Sequence, residues 1–359
     1  MKVVILLFFT SLLFSQEFNV KSYYGTYDAS KKVSGHPSTN LSKSVIEKWN
    51  FSQKSKNYKI AVLVPHLKDP YFLSVNYGIL QQANKNNISF KLYEAGGYNH
   101  LGDQRKQFYK ALKDKVDGII LASISYDKLD HDISKAKSMG IPVVEVINDI
   151  QAQEIGAKSL VSFYEMGYTV GVYIAKIAKE DKKTVAFLPG PKGSGWAPDT
   201  FNGFKAALKD NKKNNIVVFE PLFGDTGEQI QSTLVKRAFH FNKEIDYLVG
   251  NAVMAQVAPD VLKSHNNTHT KVFSTYIIPQ VYELILEGKI VASPADKTAM
   301  QAMIAVDMLQ KILDGKVAGK DFPFRAGPVI PIVTTENIKI FEYKELFGKE
   351  RFEATFSNY

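Results

Sequence analysis

The stretch YKIAVLVPHLKDPYFLSVNYG, residues 58–78, decides the fold class. Its first part is a continuous apolar run, typical of a strand that is buried on both faces, and its second part has the pattern of a helix. The residues Asp69-Pro70-Tyr71-Phe72 stand where the strand turns into the helix. Turns usually carry small polar residues, because their backbone groups must reach water. Because this turn carries two aromatic residues instead, it is a candidate wall of a binding site as well as a connection.

The same strand–helix unit recurs along the chain in two series. The first series predicts strands at 60–64, 88–95, 116–123 and 141–147, with helices near 72–85, 102–114 and 127–139. The second series follows Gln151 and predicts strands at 159–163, 184–190, 216–224, 245–250 and 271–276, with helices at 165–179, 198–210, 226–239 and 254–263. Short Val/Ile/Leu runs separated by helices indicate parallel strands that are covered on both faces. Two such series predict an α/β fold with two doubly wound parallel-sheet lobes.

The N-terminal residues predict export. MKVVILLFFTSLLFS, residues 1–15, has a charged start and an apolar run too short to span a bilayer, which is typical of a secretory signal peptide rather than an uncleaved anchor. No later apolar run approaches membrane length, so we expect a chain that is not membrane-embedded. The chain has no cysteine, so the exported protein must depend on its core and not on disulfides. Its net charge of +9 comes from scattered lysines, which argues against a nucleic-acid partner.

Aromatic residues are concentrated where the predicted strands end. In open α/β sheets, ligands bind outside the carboxyl ends of the strands, so side chains at several strand ends can meet in one crevice. The candidates at these ends are Asp69, Tyr71, Phe72, Tyr98, Phe163, Trp196, Tyr276 and Asp296. If two lobes face each other there, these residues form a pocket lined by rings between the lobes.

The two acidic candidates and the tryptophan also have structural interpretations. Asp69 precedes a proline, a frequent pair at helix starts, and can cap the first helix. Asp296 can cap a helix at 297–312, and Trp196 can brace its own turn.

The paired aromatic residues have structural interpretations as well. Tyr71 and Phe72 can form a hydrophobic staple on the first helix. Phe163 and Tyr164 cannot both point into a pocket if they lie on a strand, because successive strand side chains face opposite sides.

Several strings of residues resemble a known family in their order along the chain. KIAVLVPHLKDPYF, GIPVVEVIND, LPGPKGSGW and LEGKIVASPADKTAMQAMIAVDML lie in a run, about residues 58–333, that resembles type I periplasmic binding proteins of the ribose-binding kind. Within that superfamily, LKDPYFLSVNYG, LYEAGGYNHLGDQ, FYEMGY, GNAVMAQVA and TYIIPQVYELILEGKIVASPADK resemble exported proteins that capture trimethylamine N-oxide. Those proteins report the ligand to a membrane sensor histidine kinase of a two-component system.

The resemblance implies a domain organisation. Residues 1–15 would be the signal peptide, and residues 16–57 an N-terminal extension that fits neither series. One lobe would comprise 58–152 plus 292–325, and the other 153–291 plus 326–359. The lobes would be joined by three crossings near Gln151–Gly156, Val291 and Arg325. Gly156 and Ser293-Pro294 are candidate hinge residues, because a hinge needs a few positions that absorb large changes in φ and ψ.

The resemblance also implies an aromatic cage. The cage positions fall on Tyr71, Phe72, Tyr98, Phe163 and Tyr276, with Asp69 as the carboxylate and Asp296 where sugar binders hold hydroxyl groups. The family has tryptophan at the places of Phe72 and Phe163, and phenylalanine presents the weaker face to a cation. Trp196 is extra relative to the family and can compensate. Trimethylamine N-oxide needs rings around its methyl groups and one donor at its oxide.

Three functions compete for this sequence. The leading hypothesis is a periplasmic sensory protein for trimethylamine N-oxide or a similar methylated amine. The alternative is the substrate-binding subunit of an ABC importer for a sugar or a small polar metabolite, whose site would need many planar donors and acceptors at the same strand ends. An exported enzyme has no support from a GxSxG, HExxH or paired-carboxylate motif. We expect no cofactor and no metal, because GPKGSG lacks the ending of a P-loop and the histidines do not cluster.

Overall fold

The computed structural model describes residues 18–33, 36–54, 56–178, 181–242 and 244–359. The predicted signal peptide, residues 1–15, lies outside the described residues. Two parallel-dominated sheets flanked by helices make up the described chain, which confirms the predicted α/β class. Among the described helices, none combines the length and the apolar character that crossing a bilayer requires.

The secondary structure alternates along the chain much as the sequence predicts. The strands are β1 Asn19–Tyr23, β2 Val45–Lys48, β3 Lys59–Val64, β4 Ser89–Glu94, β5 Gly118–Leu121, β6 Val143–Val146, β7 Ala157–Ser159, β8 Lys183–Leu188, β9 Ile216–Val218, β10 Tyr247–Gly250, β11 Lys271–Ser274, β12 Ala292–Pro294, β13 Arg325–Pro328 and β14 Ile332–Thr334. The helices are α1 Pro70–Asn86, α2 Leu101–Lys113, α3 Asp130–Ser138, α4 Phe163–Ala178, α5 Trp196–Asp210, α6 Glu228–Phe241, α7 Ala252–Ser264, α8 Pro279–Leu286, α9 Thr298–Leu313 and α10 Tyr343–Phe347.

The strands form two sheets that define two lobes. The first sheet has eight strands in the order β2-β1-β13-β7-β6-β5-β3-β4, and the second has six in the order β14-β12-β11-β10-β8-β9. Each sheet is parallel except at one edge. In the first sheet β1 pairs antiparallel with β13 and β2, and in the second sheet β14 pairs antiparallel with β12. The first lobe is the first sheet with α1, α2, α3 and α9, and the second lobe is the second sheet with α4 to α8.

The chain crosses between the sheets at other places than the sequence predicts. β7 pairs with β6 in the first sheet, so the first crossing lies at 160–162 and not within Gln151–Gly156. β12 remains in the second sheet and β13 in the first, which puts the other crossings at 295–297 and 329–331. β7 (Ala-Lys-Ser) and β12 (Ala-Ser-Pro) lack the apolar run that marks the other strands. The expected boundaries at 152/153, 291/292 and 325/326 therefore fall too early.

The N-terminal extension belongs to the first sheet. Val20 of β1 lies opposite Pro328 of β13 on one side and Glu47 of β2 on the other. Farther along the extension, the buried Trp49 donates a hydrogen bond of 3.0 Å from Nε1 to Oδ2 of Asp307 in α9. The extension thus completes the edge of the first lobe, although its pattern fits neither series of predicted strands.

A close approach of α4 and α5 places two of the predicted site residues. A Cβ atom on Gly203 of α5 would lie 1.9 Å from the backbone oxygen of Tyr164 in α4, so only a residue without a side chain permits this packing. α4 starts at Phe163 and α5 starts at Trp196, and the two rings lie 5.3 Å apart. Phe163, which the sequence predicts as the end of a strand, is instead the first residue of a helix, and Tyr164 is the second.

Candidate ligand-binding site between the lobes

Asp69 connects the end of β3 to the start of α1. Its backbone is extended, and its Oδ1 accepts hydrogen bonds from the backbone N–H groups of Tyr71 at 3.1 Å and Phe72 at 3.3 Å. Pro70 occupies the first helical position, where the missing N–H group costs nothing. Asp69 therefore caps α1, which is the structural interpretation that the sequence offered. Burial raises its pKa to about 6, although the two backbone hydrogen bonds act in the opposite direction.

A small cavity, with about 10 Å³ of free space, lies where the two lobes meet. The first lobe lines it with His66, Asp69, Tyr71, Phe72, Tyr98, Ile147 and Asn148, and the second lobe lines it with Phe163, Trp196, Thr226 and Tyr276. All the residues that the sequence predicts for the site lie on this wall, except Asp296. Asp69 thus caps α1 and lines the cavity at the same time.

Aromatic rings from both lobes contact each other around this cavity. Tyr71 of the first lobe meets Tyr276 of the second, with 5.0 Å between the ring centroids and an interplanar angle of 75°. Trp196 lies 5.9 Å from Tyr276 and 6.2 Å from Tyr98, also edge to face. Phe163 stands beside Trp196 and lies 6.4 Å from Tyr276. Edge-to-face contacts of this kind are the favourable ones, so the rings hold one another in position.

Tyr164 points away from the cavity. Its ring lies 4.4 Å from that of His36 and 6.5 Å from that of Tyr168. Successive residues of a helix are rotated by about 100°, so Phe163 reaches the cavity while its neighbour faces outwards.

Asp296 lies behind the cavity wall and not on it. Its Oδ2 accepts a hydrogen bond of 2.6 Å from the hydroxyl group of Tyr71, and its Oδ1 has no partner in the described chain. Burial raises the pKa of Asp296 to about 6, and the hydrogen bond from Tyr71 opposes that rise. The capping interpretation is wrong, because the cap position of α9 is Lys297 and no side chain caps that helix. Asp296 instead accepts the hydrogen bond from Tyr71 and so orients the ring of Tyr71.

Two hydrogen-bond donors on the wall are free to serve a ligand. The hydroxyl group of Tyr98 accepts a hydrogen bond of 3.1 Å from Nδ2 of Asn148, which leaves its own proton available. The indole Nε1 of Trp196, which stands near this hydroxyl group, has no partner of ordinary hydrogen-bond geometry within the described residues. Burial raises the pKa of Tyr98 above its ordinary value, so the phenol stays protonated.

The site includes residues that sequence reasoning did not select. Asn148 follows β6 directly, so the strand-end rule reaches it, and His66 follows β3 in the same way. His66 is buried, and burial together with the charge of Lys68 lowers its pKa to about 3, so its ring is neutral at pH 7. Thr226 lies 3.5 Å from Nε2 of His66 and comes from the loop before α6, which no periodic pattern marks.

One ion pair joins the lobes at the rim of the cavity. Nζ of Lys68 lies 3.1 Å from Oδ2 of Asp225, and the loop of Asp225 also supplies Thr226 to the wall. The lobes are therefore in contact across the cavity. Of the His, Asp and Glu side chains that the structure describes, no group of three or more is arranged to hold a metal ion.

Comparisons with known proteins agree with this architecture. The model of a family described as a periplasmic binding protein domain matches residues 60–317. The periplasmic protein TorT of Escherichia coli strain K12 is 28% identical over 282 residues, which is 78% of this chain and 79% of TorT.

Two solved structures resemble the fold closely. An ABC transporter solute-binding protein from Bradyrhizobium sp. BTAi1, with bound bis-tris, is 33% identical, covers 94% of this chain and 98% of its own, and superposes with a TM-score of 0.78. TorT in complex with the TorS sensor domain, solved without ligand and with trimethylamine N-oxide, is 27% identical, covers 84% of this chain and 100% of its own, and has a TM-score of 0.72. Members of the matched family bind ligands and are not enzymes. This chain, with its two lobes and a cavity between them, belongs to the family of periplasmic binding protein domains.

Proposed function

We propose that this chain is an exported sensory protein that captures a small methylated amine, such as trimethylamine N-oxide, between its lobes. The signal peptide predicted at residues 1–15 would deliver it to the periplasm, and the periplasmic domain of a sensor histidine kinase would read the closed form. One observation carries the proposal. The cavity combines aromatic rings from both lobes with a single carboxylate, that of Asp69.

The chemistry of the wall suits a methylated cationic nitrogen. The faces and edges of Tyr71, Phe163, Trp196 and Tyr276 surround the cavity, and each ring that faces a desolvated cation contributes about 0.5–2 kcal/mol. The carboxylate of Asp69 adds attraction for the positive end. An oxide on the ligand needs a donor, because its hydration is lost on binding. The unpartnered indole N–H of Trp196 supplies one, and the hydroxyl proton of Tyr98 supplies another.

The polarity of the wall favours such a ligand over a sugar. The free space between the lobes is only about 10 Å³, about one water molecule, so a ligand enters when the lobes part and the wall chemistry, not the volume, selects it. Sugar sites use planar amide, carboxylate and guanidinium groups. Among the described residues on the wall, Asn148 and Asp69 are the amide and carboxylate side chains, and no arginine is present.

Two relatives support an amine ligand. TorT was solved with TorS in the presence of trimethylamine N-oxide. The relative from Bradyrhizobium holds bis-tris, which is a tertiary amine. We therefore extend the ligand class, and not a particular molecule, to this chain.

The substrate-binding subunit of an ABC importer is the second candidate. Its support is the relative from Bradyrhizobium, which is a transporter solute-binding protein and shares 33% identity over 94% of this chain. This alternative changes the partner and leaves the amine ligand unaltered.

Isothermal titration of the mature chain with trimethylamine N-oxide, betaine, choline and ribose tests the ligand class. We expect saturable heat from the N-oxide or another methylated amine and none from ribose. Tyr276→Ala should remove that binding, whereas Tyr282→Ala, in the neighbouring helix α8 and off the wall, should keep it. Tight binding of ribose would overturn the ligand assignment. Co-purification with a sensor kinase's periplasmic domain, as opposed to a permease, decides between the two partners.

A further inference from the structure

A second cavity, of about 250 Å³, lies where two of the crossings between the lobes run side by side. Residues 160–162, which join β7 to α4, and residues 327–330, which end β13 and begin its connection to β14, form its centre. β1 contributes Lys21 and Tyr23, and β2 contributes Ile46. No residue on this wall lines the cavity described above, so the crossing cavity is a separate place on the molecule.

A buried guanidinium group without a partner forms part of the wall. Arg325 is 2% exposed, and its Nη1 has no hydrogen-bond partner in the part of the chain that the structure describes. The guanidinium carbon lies 5.7 Å from the centre of the Tyr23 ring, which lines the same cavity. An unpaired donor on a buried cation is costly, so buried charges in proteins normally have a partner. Arg325 is therefore the residue of this cavity that needs an anionic partner.

The neighbouring buried carboxylates of Glu145 and Asp149 lie close enough to act on Arg325 electrostatically, but no hydrogen bond joins either of them to its Nη1. Lys158 bonds to Glu145 at 2.9 Å and to Asp149 at 2.8 Å, and Lys32 pairs with Asp149 as well. These two carboxylates are thus already shared by two lysines. The three formal positive charges of Lys32, Lys158 and Arg325 stand beside the two formal negative charges of Glu145 and Asp149. Among the described residues, Arg325 is the cation of these three that has no hydrogen-bonded carboxylate.

The carboxylate on the wall itself is also occupied. Glu165 pairs with Lys21 across the cavity through its Oε1, so it does not neutralise Arg325. Ser162 and Glu165 belong to the start of α4, a helix of 16 residues whose first turn carries partial positive charge. His36, which stands near Arg325, has its pKa lowered by burial and by the charges of Lys32 and Arg325, so its ring is neutral at pH 7 and does not compete for an anion as a cation.

The remainder of the wall is aliphatic. Apart from Thr169 and Gly327, it consists of Ile46, Leu160, Val161, Pro328, Val329 and Ile330. Ile46 is 57% exposed and Val329 is 42% exposed, so this apolar surface is open to a ligand from solvent. The free volume of about 250 Å³ lies just below the usual range of drug-sized ligand sites, roughly 300–1,000 Å³, and suits a small molecule.

We propose that the crossing cavity binds a small carboxylate with an apolar body. The carboxylate pairs with the guanidinium group of Arg325, whose planar fork matches its two oxygens. The aliphatic part covers Ile46, Val329 and Ile330. This site is independent of the proposed amine site and of the function assigned to it.

Isothermal titration of the mature chain with hexanoate tests the proposal, with hexanamide and acetate as matched probes. We expect saturable binding of hexanoate, at least about tenfold weaker binding of acetate, which lacks the apolar body, and none of hexanamide, which lacks the charge. Equal binding of hexanamide would show an apolar pocket without an anion site and would overturn the proposal. Absence of hexanoate binding would overturn it as well.

Two kinds of variant locate the binding. Val329→Asp places a negative charge on the wall at an exposed position and should weaken hexanoate at least about tenfold. Val217→Asp is the matched control, since Val217 is 41% exposed and lies away from the cavity, and it should bind like the parent chain. Arg325→Lys keeps the charge, removes the fork and should also weaken binding. If hexanoate binding survives Val329→Asp but is lost in Tyr276→Ala, the carboxylate occupies the other cavity and the proposal fails.

Discussion

The hydroxyl group of Tyr71 donates a hydrogen bond of 2.6 Å to Oδ2 of Asp296, and both residues are buried. Tyr71 belongs to α1 and lines the cavity between the lobes, whereas Asp296 belongs to the crossing at 295–297. The ring that faces a ligand is therefore oriented by a residue of the hinge. This hydrogen bond joins the crossing segment directly to the cavity wall.

Tyr71→Phe should lower the free energy of unfolding by about 1–3 kcal/mol, because Oδ2 of Asp296 is left buried without a donor. Urea unfolding without ligand measures the loss. Tyr282→Phe is the control, since its half-buried hydroxyl group donates to the backbone oxygen of Phe341 and its removal should cost less. Equal stability of Tyr71→Phe and the parent chain would show that the hydrogen bond is not formed in solution.

The strand-end rule located most of the candidate site from the sequence. It succeeds because β3, β10 and their neighbours run parallel, so their carboxyl ends gather at one edge. It cannot reach Thr226, which enters the wall from a loop, and it cannot tell a residue on the wall from one behind it. Asp296 was selected for the wall for that reason and instead supports Tyr71.

The fold was predictable where strands are long and apolar. The strand β7 was missed because Ala-Lys-Ser has no apolar run, and the segment of β12, whose end precedes Asp296, was assigned to the wrong lobe. Both errors displaced the crossings that the resemblance implied. The helix α8 was also missed, although Pro279 stands at its start, because eight residues make a short periodic signal. The antiparallel strands of the extension depend on pairing with β13, which is distant in the sequence.

Asp225→Asn should weaken amine binding by a few fold without lowering stability. The variant removes the charge that pairs with Lys68 and keeps an oxygen for the backbone N–H of Thr226. The ion pair joins the lobes at the rim and is partly exposed on the lysine side, so its contribution is about 0.2–1 kcal/mol and screened by salt. Stopped-flow measurement of ligand release at low and high salt checks this, with release faster in the variant at low salt. An identical release rate at both salt concentrations would show that the pair does not hold the lobes together.

Gly203→Ala should destabilise the second lobe by about 1–3 kcal/mol, because its Cβ atom would collide with the backbone oxygen of Tyr164. Separation of α4 from α5 would move Phe163 away from Trp196 and weaken amine binding. Gly102→Ala in α2 is the control, since a Cβ atom there meets nothing within 4 Å and the change should stabilise the helix slightly. Thermal unfolding and titration of both variants measure the two effects. A Gly203→Ala chain as stable as the control would mean that the helices can separate without cost.

Amine binding should depend on the ionisation of Asp69. Burial raises its pKa from 3.8 to about 6, so the folded protein binds more protons than the unfolded chain between those values. The contribution of Asp69 to the free energy of unfolding therefore decreases as pH rises from about 4 to about 6 and stays low above that range. A cationic ligand has the opposite preference, because it is attracted by the carboxylate and not by the neutral acid.

Tetramethylammonium, whose charge is fixed, separates this effect from titration of the ligand. Its affinity should rise by up to about tenfold between pH 5 and pH 7 in the parent chain, as measured by isothermal titration. Asp69→Asn keeps the cap of α1, since Asn caps as well as Asp, and should bind weakly and equally at both pH values. Asp296→Asn should retain the pH dependence, because that carboxyl group lies behind Tyr71 and does not line the cavity. A pH dependence that persists in Asp69→Asn and disappears in Asp296→Asn would assign the titrating group to the hinge and remove Asp69 from the ligand's surroundings.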